Sequence, residues 1–226
     1  GPPGGFAAAA AAGPGRLRIA VSLKPPPGTV TKLGADQRRA IEDTASLLRS
    51  LGHEVVEREV DYGPAAFLNT VTRYFRGIRD DAAAMTHPER LERRTRGMAR
   101  LGGLVGDGAL AKARAGEAAV AARVNAIFDH ADVVLMPGPA GGPFRVGRLQ
   151  GRSALWSINA SAAKVPWYGV WNAIGQPAAS VPAGFDAAGL PLAVQLAGPR
   201  DGEATLLALS AQLEAARPWT DRRPPV

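Results

Sequence analysis

The sequence has no cysteine and only three histidines, His53, His87 and His130, among 226 residues. Without cysteine there is no disulfide scaffold, no thiolate nucleophile and no thiolate-bound metal. Histidines this few and this scattered do not suit a zinc site either. No apolar run reaches the roughly 18–20 residues that a membrane span needs, so nothing here reads as transmembrane. Aromatic residues are scarce, at 6%. Acids are in the minority too: 20 Asp and Glu against 27 Lys and Arg give a formal charge of +7.

What is present in quantity is apolar. Hydrophobic residues make up 46% of the chain, enough to bury a sizeable core in one large domain or two small ones. Alanine is the most frequent residue and arginine far outnumbers lysine. With many Gly and Pro alongside, that bias reads as high-GC coding. The positive charge is therefore read first as a solubilised surface, and only second as a mark of an anionic partner. With neither a secretory signal nor cysteine, the cytoplasm is the default compartment.

Residues 1–15 (GPPGGFAAAAAAGPG) read as a linker, because Gly-Pro and Gly-Gly pairs punctuate both ends and the Ala run has no charged face. A chain that opens this way, without Met, is expected to be the back part of something longer. Residues 16–23 (RLRIAVSL) alternate as a half-buried strand does. After the PPPG run at 25–28, residues 34–51 place Ala40, Ile41, Ala45, Leu47, Leu48 and Leu51 at helical spacing, with Gly52 as the stop. A second strand is expected at 53–60. Strand, helix and strand in that order predict an α/β fold with a largely parallel sheet covered by helices. Residues 64–100 read as helical and heavily charged, and 109–130 as one Ala-rich helix. Residues 131–137 (ADVVLMP) form a short apolar run stopped by Pro, a strand buried on both faces. The loop beyond Met136 then lies at that strand's carboxyl end, where open α/β sheets bind ligands. Strands at 179–185 and 192–198, a last helix at 203–216 and a frayed tail complete the chain.

Three constellations could carry chemistry. Ser161 and Lys164 match S-x-x-K, the spacing that lets a helical lysine stand one turn from a serine it deprotonates. No supporting element accompanies them, so they read as an ordinary serine and a surface lysine. Residues 73–100 hold eight arginines against four acids; Arg73, Arg76 and Arg79 share a stripe of the kind phosphate binding uses. No nucleic-acid module accompanies it, which favours a solvated face. Trp156, Trp167, Tyr168 and Trp171 cluster in an aromatic-poor chain, suiting either a core corner or the apolar wall of a pocket.

Taken together, four blocks resemble the C-terminal half of an amidase-signature enzyme: ADVVLMPGP at 131–139, VPWYGVWNAIGQPAASVPAGF at 165–185, AAGLPLAVQLAG at 187–198 and DGEATLLALSAQLE at 201–214. The resemblance implies the C-terminal part of the amidase-signature fold over residues 16–220, with 1–15 as linker and 221–226 as tail. It also implies hydrolysis of carboxylic amides through a serine acyl-enzyme. The family's catalytic Lys, cis-Ser and nucleophilic Ser lie in a Gly/Ser-rich segment that this chain does not contain. No catalytic residue is therefore assigned here, and the chain alone is expected to be inactive. Substrate-binding positions implied are Trp171, Asn172, Gln176 and the loop after Met136, with Trp167 and Tyr168 beside them. No cofactor is implied, since such hydrolases need none. The implied partners are a small-molecule amide, the chain's own N-terminal half and a second copy in a homodimer. Family members that use glutamine for a tRNA-linked product hold it with an Arg and an Asp. The nearest positions here are Glu117 and Val165, which points away from that branch and toward an apolar or aromatic acyl pocket. Two other readings stand beside this one: a non-catalytic binding or scaffold protein, and a nucleic-acid surface on residues 73–100.

Overall fold

The computed structural model describes residues 1–220. Its sheet follows from two periodicities. In β1 (Arg18–Val21) and β3 (Val133–Pro137), successive side chains must alternate between faces, and here both faces are covered. Ile19, Val21, Val133 and Leu135 point into one apolar cluster, while Ala20, Val134 and Met136 point into another. Every residue of β3 is buried, as its uninterrupted apolar run predicts.

The strand order is β2-β1-β3-β5-β4, where β2 is Glu54–Glu57, β4 is Ala178–Phe185 and β5 is Pro191–Ala197. β2 and β3 flank β1 in parallel. β5 runs antiparallel to both β3 and β4. The sheet is therefore mixed in equal parts. β4 and β5 pair antiparallel because the turn joining them at residues 186–190 is too short for a helical crossover. In that turn Asp186 Oδ1 accepts the N–H groups of Ala188 and Leu190, at 2.9 and 2.8 Å.

On the first face lie α2 (Ala35–Ser50) and α9 (Glu203–Ala216). Ile41 and Leu48 of α2 and Leu209 and Leu213 of α9 are almost wholly buried against the sheet. Each such aliphatic contributes about 1.5–3 kcal/mol. The second face is covered by α6 (Glu117–Asn125), the 3-10 turn at Ala126–Asp129 and α8 (Tyr168–Ala173). Val124, Ile127, Trp167, Val170 and Trp171 form its core. Outside this layer stand α3 (Ala65–Ala84), α4 (Arg93–Gly102), α5 (Asp107–Ala115) and α7 (Ala154–Lys164).

Four expectations are corrected locally. The Ala run is helical, α1 (Gly5–Ala11), and it packs against α9. Alanine has the highest intrinsic helix propensity, so a neighbour to lie on substitutes for a charged face. The single helix expected over 109–130 is two, α5 and α6, dividing at Gly116. Residues 64–100 are helical except between α3 and α4, where Pro88 opens a short 3-10 turn. The tail expected to fray, 217–226, is instead held at its start, where Arg217 donates to Thr44 Oγ1 and Pro182 O and Trp219 packs on the first cluster; residues 221–226 lie outside the described residues. Among the described residues no helix is long and apolar enough to cross a membrane, and no cluster of His, Asp or Glu could hold a metal ion.

Candidate functional site

β1 and β3 are parallel, so their carboxyl ends open on the same side of the sheet, beside the start of antiparallel β5. The loop leaving β3 there is held by backbone. Ala140 accepts the Gly34 N–H at 2.8 Å and donates its own N–H to Lys164 O at 2.7 Å. Thr31 Oγ1 donates to Ala163 O at 2.6 Å. The entry to α2, the loop and the end of α7 are thereby fixed to one another. At Gly138 the loop crosses β5 so closely that a β-carbon would stand 2.6 Å from Ala193 O. Only glycine fits there.

Between this loop, the carboxyl end of α7 and the start of β5 is a cavity of about 450 Å³. Its walls are mostly apolar: Phe144, Val165 and Leu190 stand among backbone from prolines and glycines, with Gln37, Ser161, Lys164 and Asp186 as the polar side chains. The loop that follows Met136 supplies one wall. Lys164 Nζ donates to Gly142 O at 2.7 Å and lies 5.4 Å from the centre of the Phe144 ring. That arrangement directs the lysine along the loop rather than at Ser161, and no Ser161–Lys164 hydrogen bond is formed among the described residues. Asp186 is occupied as the cap of its turn.

The residues singled out from the sequence fall into two groups. Met136, Trp167 and Trp171 are core: each is at most 1% exposed. Trp171 meets Phe128 edge-on at 6.2 Å, and Met136 Sδ accepts the Tyr62 hydroxyl at 3.7 Å. Burial pushes the Tyr62 phenol well above its ordinary range. Asn172 is exposed, and Tyr168 is half-buried with its hydroxyl at the Gly138 loop; burial raises that phenol too. Gln176 is buried with its Oε1 unpartnered among the described residues, and so is Gln195 with its Nε2. Gln195 stands opposite Met136 in the ladder, on the second face. It escaped sequence reasoning because a glutamine within LAVQLAG reads as a solvent-facing strand position. Gln37 and Phe144, which line the cavity, carried no signal of their own.

The basic stripe is largely consumed internally. Arg76 joins Asp80 at 2.9 Å and Asp107 at 2.7 Å, and also bonds Val105 O. Arg73 joins Glu117 and Ala173 O. Arg96 binds the carbonyls of Glu89 and Leu91. These contacts tie α3 to α5, α6 and α8.

Comparison with known proteins adds the lineage. The Amidase family model matches residues 2–207. The Mycobacterium tuberculosis protein carrying the name amidase AmiB2 is 50% identical over all 226 residues, which cover 49% of it. The one carrying the name amidase AmiA2 is 36% identical over 214 residues, 94% of this chain and 44% of the relative. Among solved structures, 6-aminohexanoate cyclic dimer hydrolase complexed with substrate superposes with a TM-score of 0.83 at 25% identity, over 97% of this chain and 49% of that one. A bacterial aryl acylamidase of the amidase signature family gives 0.74 at 21% identity, with the same coverage of 97% and 49%, a likeness of fold. The chain thus spans about half the length of the relatives it matches.

Proposed function

Because this chain belongs to the amidase family, we propose that it serves as the C-terminal half of an enzyme hydrolysing carboxylic amides to an acid and ammonia or an amine. In this reading a serine outside these 226 residues attacks the amide carbonyl and the amine leaves with a proton. Water then releases the acyl group as a carboxylic acid. Backbone N–H groups hold the oxyanion that forms at each addition. This half completes the sheet and supplies an apolar pocket for one end of the substrate.

The observation that carries the proposal is positional. The loop that resembles the family's first block, the β4–β5 turn within its third and the end of α7 converge on one cavity at the carboxyl end of β3. Tyr168, at the Gly138 loop, and Asn172, exposed on α8, are carried over from the family resemblance as the two that meet substrate, and neither lines this cavity. Trp167, Trp171 and Met136 brace the wall behind them, and Gln176 positions the turn between α8 and β4. Lys164, held by Gly142 O, is assigned no role as a base. The apolar lining supports a substrate with an extended hydrocarbon or aromatic portion.

The test is covalent trapping in the complete protein. A fluorophosphonate, which phosphonylates activated serines, should block amide turnover and map by peptide mass to a serine outside these 226 residues. Labelling of Ser161 with loss of turnover would overturn the assignment. So would an absence of both labelling and turnover in folded protein.

A further inference from the structure

The cavity is one part of a longer groove. Phe144 forms a wall shared with a second hollow of about 370 Å³, along residues 144–150. Ser161 is shared with a third of about 390 Å³, between α3, α4 and α7. Arg94 and Leu149 line both of these outer hollows. The groove therefore runs from the β4–β5 turn, past the end of α7, to the outer helices.

Beside it, cations without an acid partner are concentrated in one short segment, in contrast to the paired arginines of the sheet and outer helices. Arg18, Arg39, Arg73, Arg76 and Arg123 each have a carboxylate within 3.1 Å. The segment 144–152 (FRVGRLQGR) has three arginines and no acid. Among the described residues, Arg145, Arg148, Arg152 and Lys164 have no ion-pair partner. Instead, Arg148 and Arg152 both lie 5.0 Å from the centre of the Trp156 ring. They are thus no more than twice that distance apart, two like charges drawn to one indole face or edge. Two acids border the groove and both are engaged: Glu92 pairs with Arg94 at 3.2 Å, and Asp186 caps its turn. An anion entering here exchanges the repulsion of neighbouring guanidiniums for charge-assisted hydrogen bonds, for which arginine's planar fork suits a carboxylate.

We propose that Arg145 and Arg148, aided by Arg152 and Lys164, select amides carrying a carboxylate on the part of the substrate that lies along this groove, away from the scissile bond. The inference rests on the amidase reading above and narrows its substrate class. The apolar wall takes the hydrocarbon between the two ends, and the cationic loop takes the charge. A nucleic-acid strand fits less well, because Arg73 and Arg76, which would extend the positive track, are spent on Glu117, Asp80 and Asp107.

The experiment uses the complete enzyme and two anilides of equal chain length, hexanoyl anilide and the monoanilide of hexanedioic acid, which differ only in a terminal methyl against a carboxylate. At low ionic strength kcat/KM should favour the carboxylate at least about tenfold, the worth of one charge-assisted hydrogen bond. The preference should shrink as salt rises. The double variant Arg145→Gln/Arg148→Gln should abolish it, mainly through KM for the charged anilide, and Arg145→Lys/Arg148→Lys should restore part of it. Equal kcat/KM for the two anilides in the unaltered enzyme overturns the inference, while their turnover leaves the amidase reading intact. A preference unchanged in the glutamine variant overturns it as well. So does salt-sensitive oligonucleotide binding that the variant loses without any change in preference. Should that variant misfold, the salt dependence of the unaltered enzyme decides. If the folded enzyme turns over neither anilide, the inference and the amidase reading fall together.

Discussion

At Asp132 one side chain closes the gap between the start of β1 and the start of β3. Its Oδ2 accepts the Arg18 backbone N–H at 2.8 Å and its Oδ1 accepts the Arg18 guanidinium at 2.8 Å. The Arg18 side-chain hydrogen bond holds this carboxyl below the ordinary carboxylate range, against a smaller opposing effect of burial. A depressed folded-state pKa stabilises the fold above the unfolded value, near 3.9, and that stabilisation is lost as pH falls through the folded value. Asp132→Asn should therefore flatten the acid limb of stability below about pH 4 and lower the urea midpoint at neutral pH, read from denaturation curves across that range. Trp171 and Asn172 make a second test at this scale. Trp171→Ala removes a fully buried indole and should cost about 3–5 kcal/mol. Asn172→Ala, at an exposed position, should stay within about 0.5 kcal/mol in the same urea titration. If Asn172 meets substrate as proposed, its variant loses activity in the complete enzyme with stability intact. Sequence pattern flagged both residues because they are neighbours in one block. It could not separate them, since which of two adjacent helical residues faces the sheet depends on how α8 docks.

Among elements, β3 and α9 were the most legible, because an unbroken apolar run and a stripe of leucines each have one good solution. α3 was the least. Its apolar and basic residues suggest an amphipathic helix, yet Ala66 is its one buried residue. What holds it is polar: Arg73 and Arg76 reach other helices, and Asn69 donates to Ala113 O. The reading of these arginines as a solvated face missed that use, because their acids lie 31 and 44 residues away in sequence, except for Asp80. α3 crosses α4 at Gly102, where a β-carbon would collide with Phe75 O and stand 2.9 Å from Arg79 Cβ. Gly102→Ala should push the two helices apart at a cost of about 1–3 kcal/mol. The expected sign is faster proteolytic cleavage within residues 84–106, with the sheet still protected.

For the whole molecule, the sheet has two edge strands among the described residues, β2 and β4. β2 is four residues long with three exposed, two of them Glu54 and Glu57, charges that discourage strand addition. β4 is twice that length, with Ala178 and Ser180 exposed and no charged residue. The chain prepared by itself should therefore self-associate through β4, seen as concentration-dependent elution in size-exclusion chromatography. Ser180→Lys should weaken that association severalfold. The α/β class and every strand were readable from the sequence, since alternation and apolar runs are local. The direction of β4 and β5 was not, because strand pairing is decided by packing and turn length rather than by composition.

The division of the interior into two faces also distributes the four tryptophans into separate optical reporters. Trp167 and Trp171 sit sealed in one compartment, and Trp219 leans on the other. Trp156 lies beside two guanidiniums, those of Arg152 and of Arg148, which lines the groove. Emission from the first pair should be blue-shifted and insensitive to aqueous quenchers, whereas light from Trp156 should respond to whatever anion approaches Arg148 and Arg152. The molecule thus carries its own fluorimeter for the groove, with an internal reference a few turns of helix away.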